Sequence, residues 1–300
     1  MKIKILHEHG NEYGYNQWGM MLKYYENTSI ILAEPNDNKD IDYYIIINSP
    51  PCKDTHYISN KTILILDEPK EFLTSSDGIS RSGFYGWKEK HKFLKVLDHK
   101  NALNNVRWQM NKIPEKIVKS ALPSKKYKLD RICSILGSKH FDPGHILRVK
   151  FVKKMEIYFN DDIIDIYGYK NYHNLKYYKS PLPNDDKGIV SNYKYYFMCE
   201  NNVKKNYATE KIWEPIICET LCFYWGCPNL EDYIDPKSFV RLDMNDMINS
   251  LKIIERAIKE DWWSQRIDII RKMKTKILNE LAFFPTIERI IKKHTNKIKA

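Results

Sequence analysis

The chain has 300 residues, of which 49 are Lys or Arg and 38 are Asp or Glu, so its formal net charge at pH 7 is +11. This length can bury two medium-sized hydrophobic cores. No run reaches the roughly 18 consecutive apolar residues that a transmembrane helix needs, which excludes a membrane-spanning segment.

The positive charge suits a nucleic acid, an anionic sugar nucleotide or an acidic membrane surface as a partner. The lysines are spread along the chain, are densest in the C-terminal tail, and accompany no recognised nucleic-acid motif. We therefore expect no nucleic-acid partner and at most a peripheral contact with membranes.

The six cysteines include no C-x-x-C pair, which indicates unpaired buried thiols rather than disulfides or a zinc site. The first eight residues, MKIKILHE, become polar too early for a signal peptide and instead predict a strand. These features predict a soluble protein located in the cytoplasm.

The first 125 residues predict one α/β domain. A helical pattern covers Asn16–Tyr25, and four strand-like runs surround it: Lys2–His7, Ser29–Ala33, Asp42–Asn48 and Thr62–Leu66. The loop His7–Asn11 follows the first strand, where a ligand cleft forms in such sheets. Its two histidines either touch an acceptor molecule or, as is commoner for loop histidines, have no chemical role. The triplet Asp40-Ile41-Asp42 precedes a strand, so we expect it to be solvated rather than to bind a metal.

The strand at Thr62–Leu66 ends in two carboxylates, Asp67 and Glu68, followed by the turn residue Pro69. A carboxylate at a strand end can take a proton from an attacking hydroxyl as a general base. The alternative is an ordinary acidic loop in which Glu68 caps a neighbouring helix.

A second α/β domain is expected from residue 126, after a connector rich in Pro, Ser and Lys. Two strands, Asp130–Gly137 and Asp162–Gly168, flank a helix that begins at Pro143 and carries Arg148. Helical periodicity marks three later segments: Asn245–Lys259, Trp262–Lys276 and Thr286–Lys297. The predicted domains are 1–125 and 126–280, and residues 281–300 are expected to form a terminal helix that crosses back to the first domain.

Residues 192–243 carry the densest pattern. An aromatic strand (Tyr195–Met198) runs into the polar sequence E-N-N (200–202), and Y-A-T-E-K (207–211) then opens an apolar helix. Because proline is tolerated only near a helix start, Pro215 places that start near Lys211 or Ile212. Glu210 and Lys211 would then lie at the positive end of the helix, where phosphate binds readily. A solvated Glu-Lys pair at a helix start is the alternative.

The ordered string E-N, Y-A-T-E-K, an apolar helix, a strand ending W-G-C-P and then D-P-K-S-F-V resembles the α1,3/α1,4-fucosyltransferases of glycosyltransferase family 10. Their signature at these places is E-N-S/T, Y-V-T-E-K and P-x-S-F. Here Asn202 replaces the Ser or Thr, Ala208 replaces the Val, and Pro215 falls early in the helix. The resemblance extends weakly upstream to about Asp130.

The resemblance implies an α/β fold of the GT-B type, with two Rossmann-like domains facing across a cleft. It implies an inverting transfer of L-fucose from GDP-β-L-fucose to O3 or O4 of a GlcNAc or Glc residue in an acceptor glycan. No cofactor is expected to be required, although a divalent cation could stimulate. A GT-B transferase for another GDP- or UDP-sugar, or a non-catalytic glycan- or nucleotide-binding protein, is the alternative.

The resemblance also implies roles for single residues. Glu68 would be the general base, although D-E-P stands where the family commonly has G-E-N. Arg148 would bind the donor diphosphate through its planar fork, with Arg131 and Lys150 as alternatives. Lys211 would stabilise the departing diphosphate. The resemblance assigns donor contacts to Asn201, Tyr207 and Glu210. Asn201 could equally be a turn residue, and Tyr207 a packing residue.

Overall fold

The computed structural model describes residues 1–25, 28–52, 55–67, 90–100, 103, 112–119, 128–136, 143–159, 163–182 and 186–299. The chain forms two compact units. Unit 1 comprises Met1–Val106 with Asn279–Ala300, and unit 2 comprises Arg107–Leu278. Each unit is built on its own parallel sheet.

The sheet of unit 1 has five parallel strands in the order β2-β1-β3-β4-β5. Its strands are β1 (Lys2–His7), β2 (Ile31–Leu32), β3 (Tyr43–Ile47), β4 (Thr62–Ile65) and β5 (Lys95–Leu97). In strand β3, the consecutive residues Ile45, Ile46 and Ile47 are all fully buried. Continuous burial of neighbouring residues is typical of parallel strands that are covered on both faces.

The helix between β1 and β2 begins earlier than predicted. It is α1 (Asn11–Trp18), and it tightens into a 3-10 helix at Gly19–Tyr24, so the predicted range Asn16–Tyr25 starts five residues too late. Gly10, with φ of 102°, turns the chain directly from β1 into the helix. A side chain at Gly14 would meet Ile5 at 2.9 Å, so this glycine lets α1 lie against β1.

The C-terminal helix α7 (Phe283–Lys299) belongs to unit 1. The ring of Phe283 lies 6.3 Å from that of Trp18. The carboxylate of Glu288 accepts hydrogen bonds from the hydroxyl of Thr28 and, at 3.1 Å, from the backbone N–H of Ser29. These contacts fix the helix to the N-terminal part of the same unit.

Unit 2 contains six parallel strands in the order β8-β7-β6-β9-β10-β11. The strands are β6 (Leu129–Ile135), β7 (Ile164–Tyr167), β8 (Tyr178–Ser180), β9 (Tyr193–Cys199), β10 (Leu221–Trp225) and β11 (Phe239–Arg241). The helices of this unit are α2 (Glu115–Lys119), α3 (Pro143–Tyr158), α4 (Glu210–Ile217), α5 (Met247–Lys259) and α6 (Trp262–Lys276). Numbered from its own first strand, the sheet has the order 3-2-1-4-5-6 of a dinucleotide-binding fold.

The state of the cysteines and the character of the helices match what the sequence predicts. All six thiols are free, and five of them are buried. No helix in the described ranges is both long enough and apolar enough to cross a bilayer.

A buried lysine ties the amino-terminal ends of the central strands of unit 2 together. The ammonium of Lys128 donates to the backbone oxygens of Ser191, Tyr193 and Cys218 at 2.7, 3.2 and 3.0 Å. It also lies 5.8 Å above the ring of Trp263. Burial disfavours the charged form and lowers the pKa of Lys128 to about 8.

This depressed pKa gives a pH dependence with a definite sign. Between about pH 8 and 10.5 the unfolded chain binds more protons at Lys128 than the folded chain does, so stability rises with pH. We expect the free energy of unfolding of the wild type, measured against that of Lys128→Met, to increase from pH 8 towards pH 10. Denaturant titrations of both proteins at several pH values test this. A constant difference across the range would contradict the lowered pKa.

Candidate functional site

The topology of unit 2 marks one place on its sheet as a ligand crevice. Strands β6 and β9 are neighbours, and the connections that leave them run to opposite sides, β6 through α3 towards β7 and β9 through α4 towards β10. Ligands of open parallel sheets bind outside the carboxyl ends of two such strands. The segment at this end of β9 is Glu200-Asn201-Asn202.

Glu200 connects the elements that line the crevice. It is fully buried, and its carboxylate accepts hydrogen bonds from the backbone N–H and hydroxyl of Thr209 at 2.8 and 2.7 Å and from the hydroxyl of Tyr224 at 3.0 Å. Burial raises the pKa of Glu200, while the ammonium of Lys211, 3.7 Å away, acts in the opposite direction. One carboxylate thus joins the end of β9, the start of α4 and strand β10.

Helix α4 begins at Glu210, one residue before the predicted start. Thr209 is its N-cap, and the threonine hydroxyl accepts from the N–H of Lys211. Pro215 lies in the second turn rather than the first, and as a proline it cannot donate to the carbonyl of Lys211. The thiol of Cys222 lies 3.9 Å from that carbonyl.

Lys211 is held among acceptors at this helix start. Its ammonium donates to Glu210 at 2.9 Å and to the Thr209 hydroxyl at 3.1 Å, and its side chain is 13% exposed. Burial alone would lower the pKa of Lys211, but the carboxylates of Glu210 and Glu200 outweigh it and hold that pKa above its usual value. Lys211 is therefore a permanent positive charge at the N–H-rich end of α4.

Arg148 reaches the same crevice from α3. Its guanidinium Nη2 donates to the carbonyl of Cys199 and, at 3.3 Å, to the side-chain oxygen of Asn201. Its Nε is buried and has no hydrogen-bond partner within the described parts of the chain. A buried donor without a partner is costly, so an acceptor supplied by a ligand would stabilise it.

The close approach of α3 to the end of β9 depends on a glycine. The N–H of Gly144, in the first turn of α3, donates to the carbonyl of Asn201 at 3.0 Å. A Cβ at Gly144 would lie 1.9 Å from the carbonyl oxygen of Glu200. Gly226 has a similar function, since a Cβ there would lie 2.3 Å from the Glu200 side chain.

The loop between β9 and α4 is fixed by paired amides. The backbone N–H of Asn206 donates to the side chain of Asn229 at 2.8 Å, and the Asn229 amide donates back to Asn206 at 2.8 Å. The hydroxyl of Tyr233 donates to Asn206 as well, at 2.6 Å. Asn206 itself has φ of 63°, a backbone conformation that asparagine tolerates better than most residues.

The structure brings most of the predicted site residues together in unit 2. Arg148, Asn201, Glu210 and Lys211 surround the crevice. Tyr207 follows them in the loop but is only 1% exposed, which agrees with the packing role left open for it, and its contact with a donor stays a prediction. Glu68, the predicted base, lies outside the described residues.

Sequence reasoning missed the central carboxylate of the site. The sequence gives Glu200 no role beyond its place after a strand and in the E-N signature, whereas the structure makes it the common partner of Thr209, Tyr224 and Lys211. A charged residue directly after seven buried strand positions is the signal that could have revealed it. A buried carboxylate requires partners, and hydroxyl and ammonium groups follow nearby in the sequence.

Both carboxylates of the Asp40-Ile41-Asp42 triplet are exposed, as expected for a solvated triplet. Asp42 accepts a hydrogen bond from the backbone N–H of Lys2 at 2.7 Å, so this carboxylate caps the first strand. Among the residues that the structure describes, no group of three or more potential metal ligands occurs.

Comparison with known proteins identifies the part of the chain that holds this crevice. Residues 122–262 match the C-terminal domain of glycosyltransferase family 10 (fucosyltransferase). The match covers just under half of the chain. The matched segment contains α3, β9, α4 and β10, and therefore all the crevice residues named above.

Two curated relatives match shorter segments of the chain. GDP-fucose protein O-fucosyltransferase 3 of Danio rerio is 32% identical over 76 residues, which are 25% of this chain and 17% of that protein. Alpha-(1,3)-fucosyltransferase B of Drosophila melanogaster is 32% identical over 67 residues, which are 22% of this chain and 15% of that protein. The matches thus span less than a fifth of either relative.

A solved structure resembles the chain over its whole length. An α-glucosyltransferase in complex with UDP and a 13-mer DNA is 12% identical, covers 100% of this chain and 99% of its own, and has a TM-score of 0.59. At this identity the likeness concerns the fold alone. The chain has an α/β fold of the GT-B type with two Rossmann-like units, as the sequence predicts.

Proposed function

We propose that the protein is an inverting glycosyltransferase that moves L-fucose from GDP-β-L-fucose to a hydroxyl of an acceptor glycan, at O3 or O4 of a GlcNAc or Glc residue. One observation carries this proposal. At the carboxyl ends of β6 and β9, the cations of Arg148 and Lys211 lie beside the N-terminus of α4. Two cations and a helix N-terminus suit a diphosphate.

The chemistry follows from where charge develops. The acceptor oxygen forms a bond to the anomeric carbon while the bond from that carbon to the phosphate oxygen breaks, and the electron pair leaves with GDP. Lys211 and Arg148 stabilise the negative charge that grows on the diphosphate. The acceptor proton passes to a carboxylate, for which we propose Glu68. Asn201 and Glu210 are proposed to contact the donor.

The names of the relatives support fucose as the donor sugar. One curated relative is a GDP-fucose protein O-fucosyltransferase and the other is an α-(1,3)-fucosyltransferase, and both match this chain at 32% identity. We further propose that the reaction requires no cofactor and that a divalent cation at most stimulates it, because Lys211, Arg148 and the helix start supply positive charge.

Thermal stabilisation by a ligand panel tests the donor. A ligand that binds only the folded protein raises the melting temperature by an amount that grows with its concentration relative to its Kd. We expect GDP and GDP-fucose to raise the melting temperature, and UDP, UDP-GlcNAc and a DNA duplex to leave it unchanged. A shift with UDP compounds alone would show that the donor is a UDP-sugar and not GDP-fucose. A shift with DNA alone would refute the proposal.

The planar fork of Arg148 gives a specific mutational prediction. Arg148→Lys keeps the positive charge but cannot donate to two oxygens in one plane, so we expect kcat/KM for GDP-fucose to fall by roughly 10- to 100-fold. The exposed Lys150 on the same helix provides the control, since Lys150→Ala should leave kcat/KM unchanged. Wild-type rates in Arg148→Lys would show that Arg148 contributes only its charge.

A further inference from the structure

Unit 1 has a crevice of its own, which the proposed donor site does not use. In the order β2-β1-β3-β4-β5, strands β1 and β3 are neighbours, while the chain passes from β1 through α1 to the outer strand β2 before it returns. The carboxyl ends of β1 and β3 are therefore the place where a ligand would bind to this sheet. Glu8 follows β1, and Asn48 follows β3.

A chain of hydrogen bonds links the ends of four strands at this crevice. The ring of His99, after β5, meets the carbonyl of Asp67 at 3.0 Å, and the N–H of Asp67 donates to the side chain of Asn48 at 2.9 Å. The amide of Asn48 then donates to Oε1 of Glu8 at 2.8 Å. The chain of contacts ends on the carboxylate of Glu8.

Two residues of this hydrogen-bond network have a backbone conformation that residues other than glycine rarely adopt. Asn48 has φ of 62° and His99 has φ of 63°. Such conformations cost free energy and cluster at binding and catalytic sites, where the surrounding structure enforces them. Asn48 is also buried, at 7% exposure, so its amide is fixed towards Glu8.

The carboxylate of Glu8 retains unused hydrogen-bonding capacity. Its side chain is 16% exposed, and within the described ranges its Oε2 has no hydrogen-bond partner. An ionised carboxylate offers about four acceptor positions, so it can take hydroxyl donors from a ligand. The ring of His9, 63% exposed, lies 4.0 Å from Glu8 and supplies a further polar contact.

An exposed aromatic ring lies against His9, the neighbour of this carboxylate. Tyr13 is 41% exposed, and its ring centroid lies 5.4 Å from that of His9. Between Glu8 and the helix, Gly10 faces open space, since a Cβ there would have no atom within 4 Å. Because the carboxylate and the exposed ring both neighbour His9, the site suits a carbohydrate, whose hydroxyls donate and whose C–H face packs on aromatic rings. An anionic ligand would be repelled by Glu8.

We infer that Glu8, oriented by Asn48, binds a hydroxyl of the acceptor carbohydrate. The inference rests on the proposed function, because it assigns the second substrate of the same reaction. It gives Glu8 a different role from Glu68: Glu8 holds the acceptor, and Glu68 removes its proton. Asn48 is a positioning residue that fixes the orientation of the Glu8 carboxylate.

The test separates binding of the acceptor from the chemical step. Lactose and N-acetyllactosamine are titrated by NMR into the wild type, Glu8→Ala, Glu8→Gln and Asn48→Asp, and GDP release from GDP-fucose is measured with each glycan. We expect the Kd and KM for the glycan to rise at least tenfold in Glu8→Ala and Asn48→Asp, with the loss in KM rather than in kcat. Glu8→Gln keeps the side-chain volume and should show a smaller rise, because it loses only the charge.

A variant at Glu34 is the control for this test. Glu34→Gln changes an exposed carboxylate of the same unit, whose bond to Tyr15 a carboxamide can keep, and should leave the glycan Kd unchanged. An unchanged glycan Kd in Glu8→Ala would overturn the inference. So would a loss confined to kcat, or a wild type that binds GDP-fucose but neither glycan. A wild type that binds neither GDP nor GDP-fucose would instead refute the proposed function, whatever the glycan titrations show.

Discussion

Removal of the Lys211 ammonium is expected to lower kcat/KM for GDP-fucose by roughly 100- to 1000-fold. The estimate follows from the loss of one preorganised charge where the diphosphate departs, a contribution of about 3–4 kcal/mol in a water-poor site. Lys211 is only 13% exposed, so solvent cannot replace its charge. Steady-state kinetics of Lys211→Ala and of the bulkier Lys211→Met would measure the loss.

The fold must survive for this loss to be informative. Lys211→Met keeps most of the side-chain volume but leaves the buried carboxylate of Glu200 without its cation, so we expect a lower melting temperature with cooperative unfolding retained. Lys205→Ala, at an exposed position of the preceding loop, is the matched charge control and should retain full activity. If Lys211→Met transferred fucose at the wild-type rate, Lys211 would have no role at the diphosphate.

Gly144→Ala is expected to destabilise the protein and to abolish donor binding. In an ordinary helix this change would stabilise by about 1 kcal/mol, because alanine is the better helix former. Here the new Cβ would lie 1.9 Å from the carbonyl oxygen of Glu200 and 2.6 Å from backbone atoms of Asn201, which cannot turn away as a side chain could. Overpacking of this kind costs roughly 1–3 kcal/mol.

Unfolding titrations and GDP binding would measure the two effects. Lys153→Ala, at an exposed position of the same helix, provides the control for helix propensity and should bind GDP normally. A Gly144→Ala protein with increased stability and unchanged GDP affinity would show that α3 can move away from β9 without loss.

Long apolar runs made much of the fold predictable. Strands β1 and β4 and helix α6 occur within the predicted bounds, because each is a clear pattern with polar ends. The three-residue strands β5, β8 and β11 were not predicted. Such short segments gain their strand conformation from pairing with a neighbour, and a single sequence does not contain that information.

The sequence predicts those features of the site that depend on neighbouring residues in the chain. It does not predict contacts between residues that are distant in sequence. Glu210 and Lys211 were placed at a helix start by local signals alone. The partnership of Glu200 with Tyr224, 24 residues later, depends on the pairing of β9 with β10. The network from His99 to Glu8 likewise joins residues that only the strand order brings together.

The paired amides of Asn206 and Asn229 have a consequence for substrate selection. The loop between β9 and α4 is held at one end by Thr209 on Glu200 and in its middle by Asn206 on Asn229. The entropy of ordering this loop is therefore lost when the chain folds, and not again when a nucleotide arrives. Discrimination between donor sugars then depends on contacts with a rigid surface, and a change of sugar preference would require new side chains rather than a different loop motion.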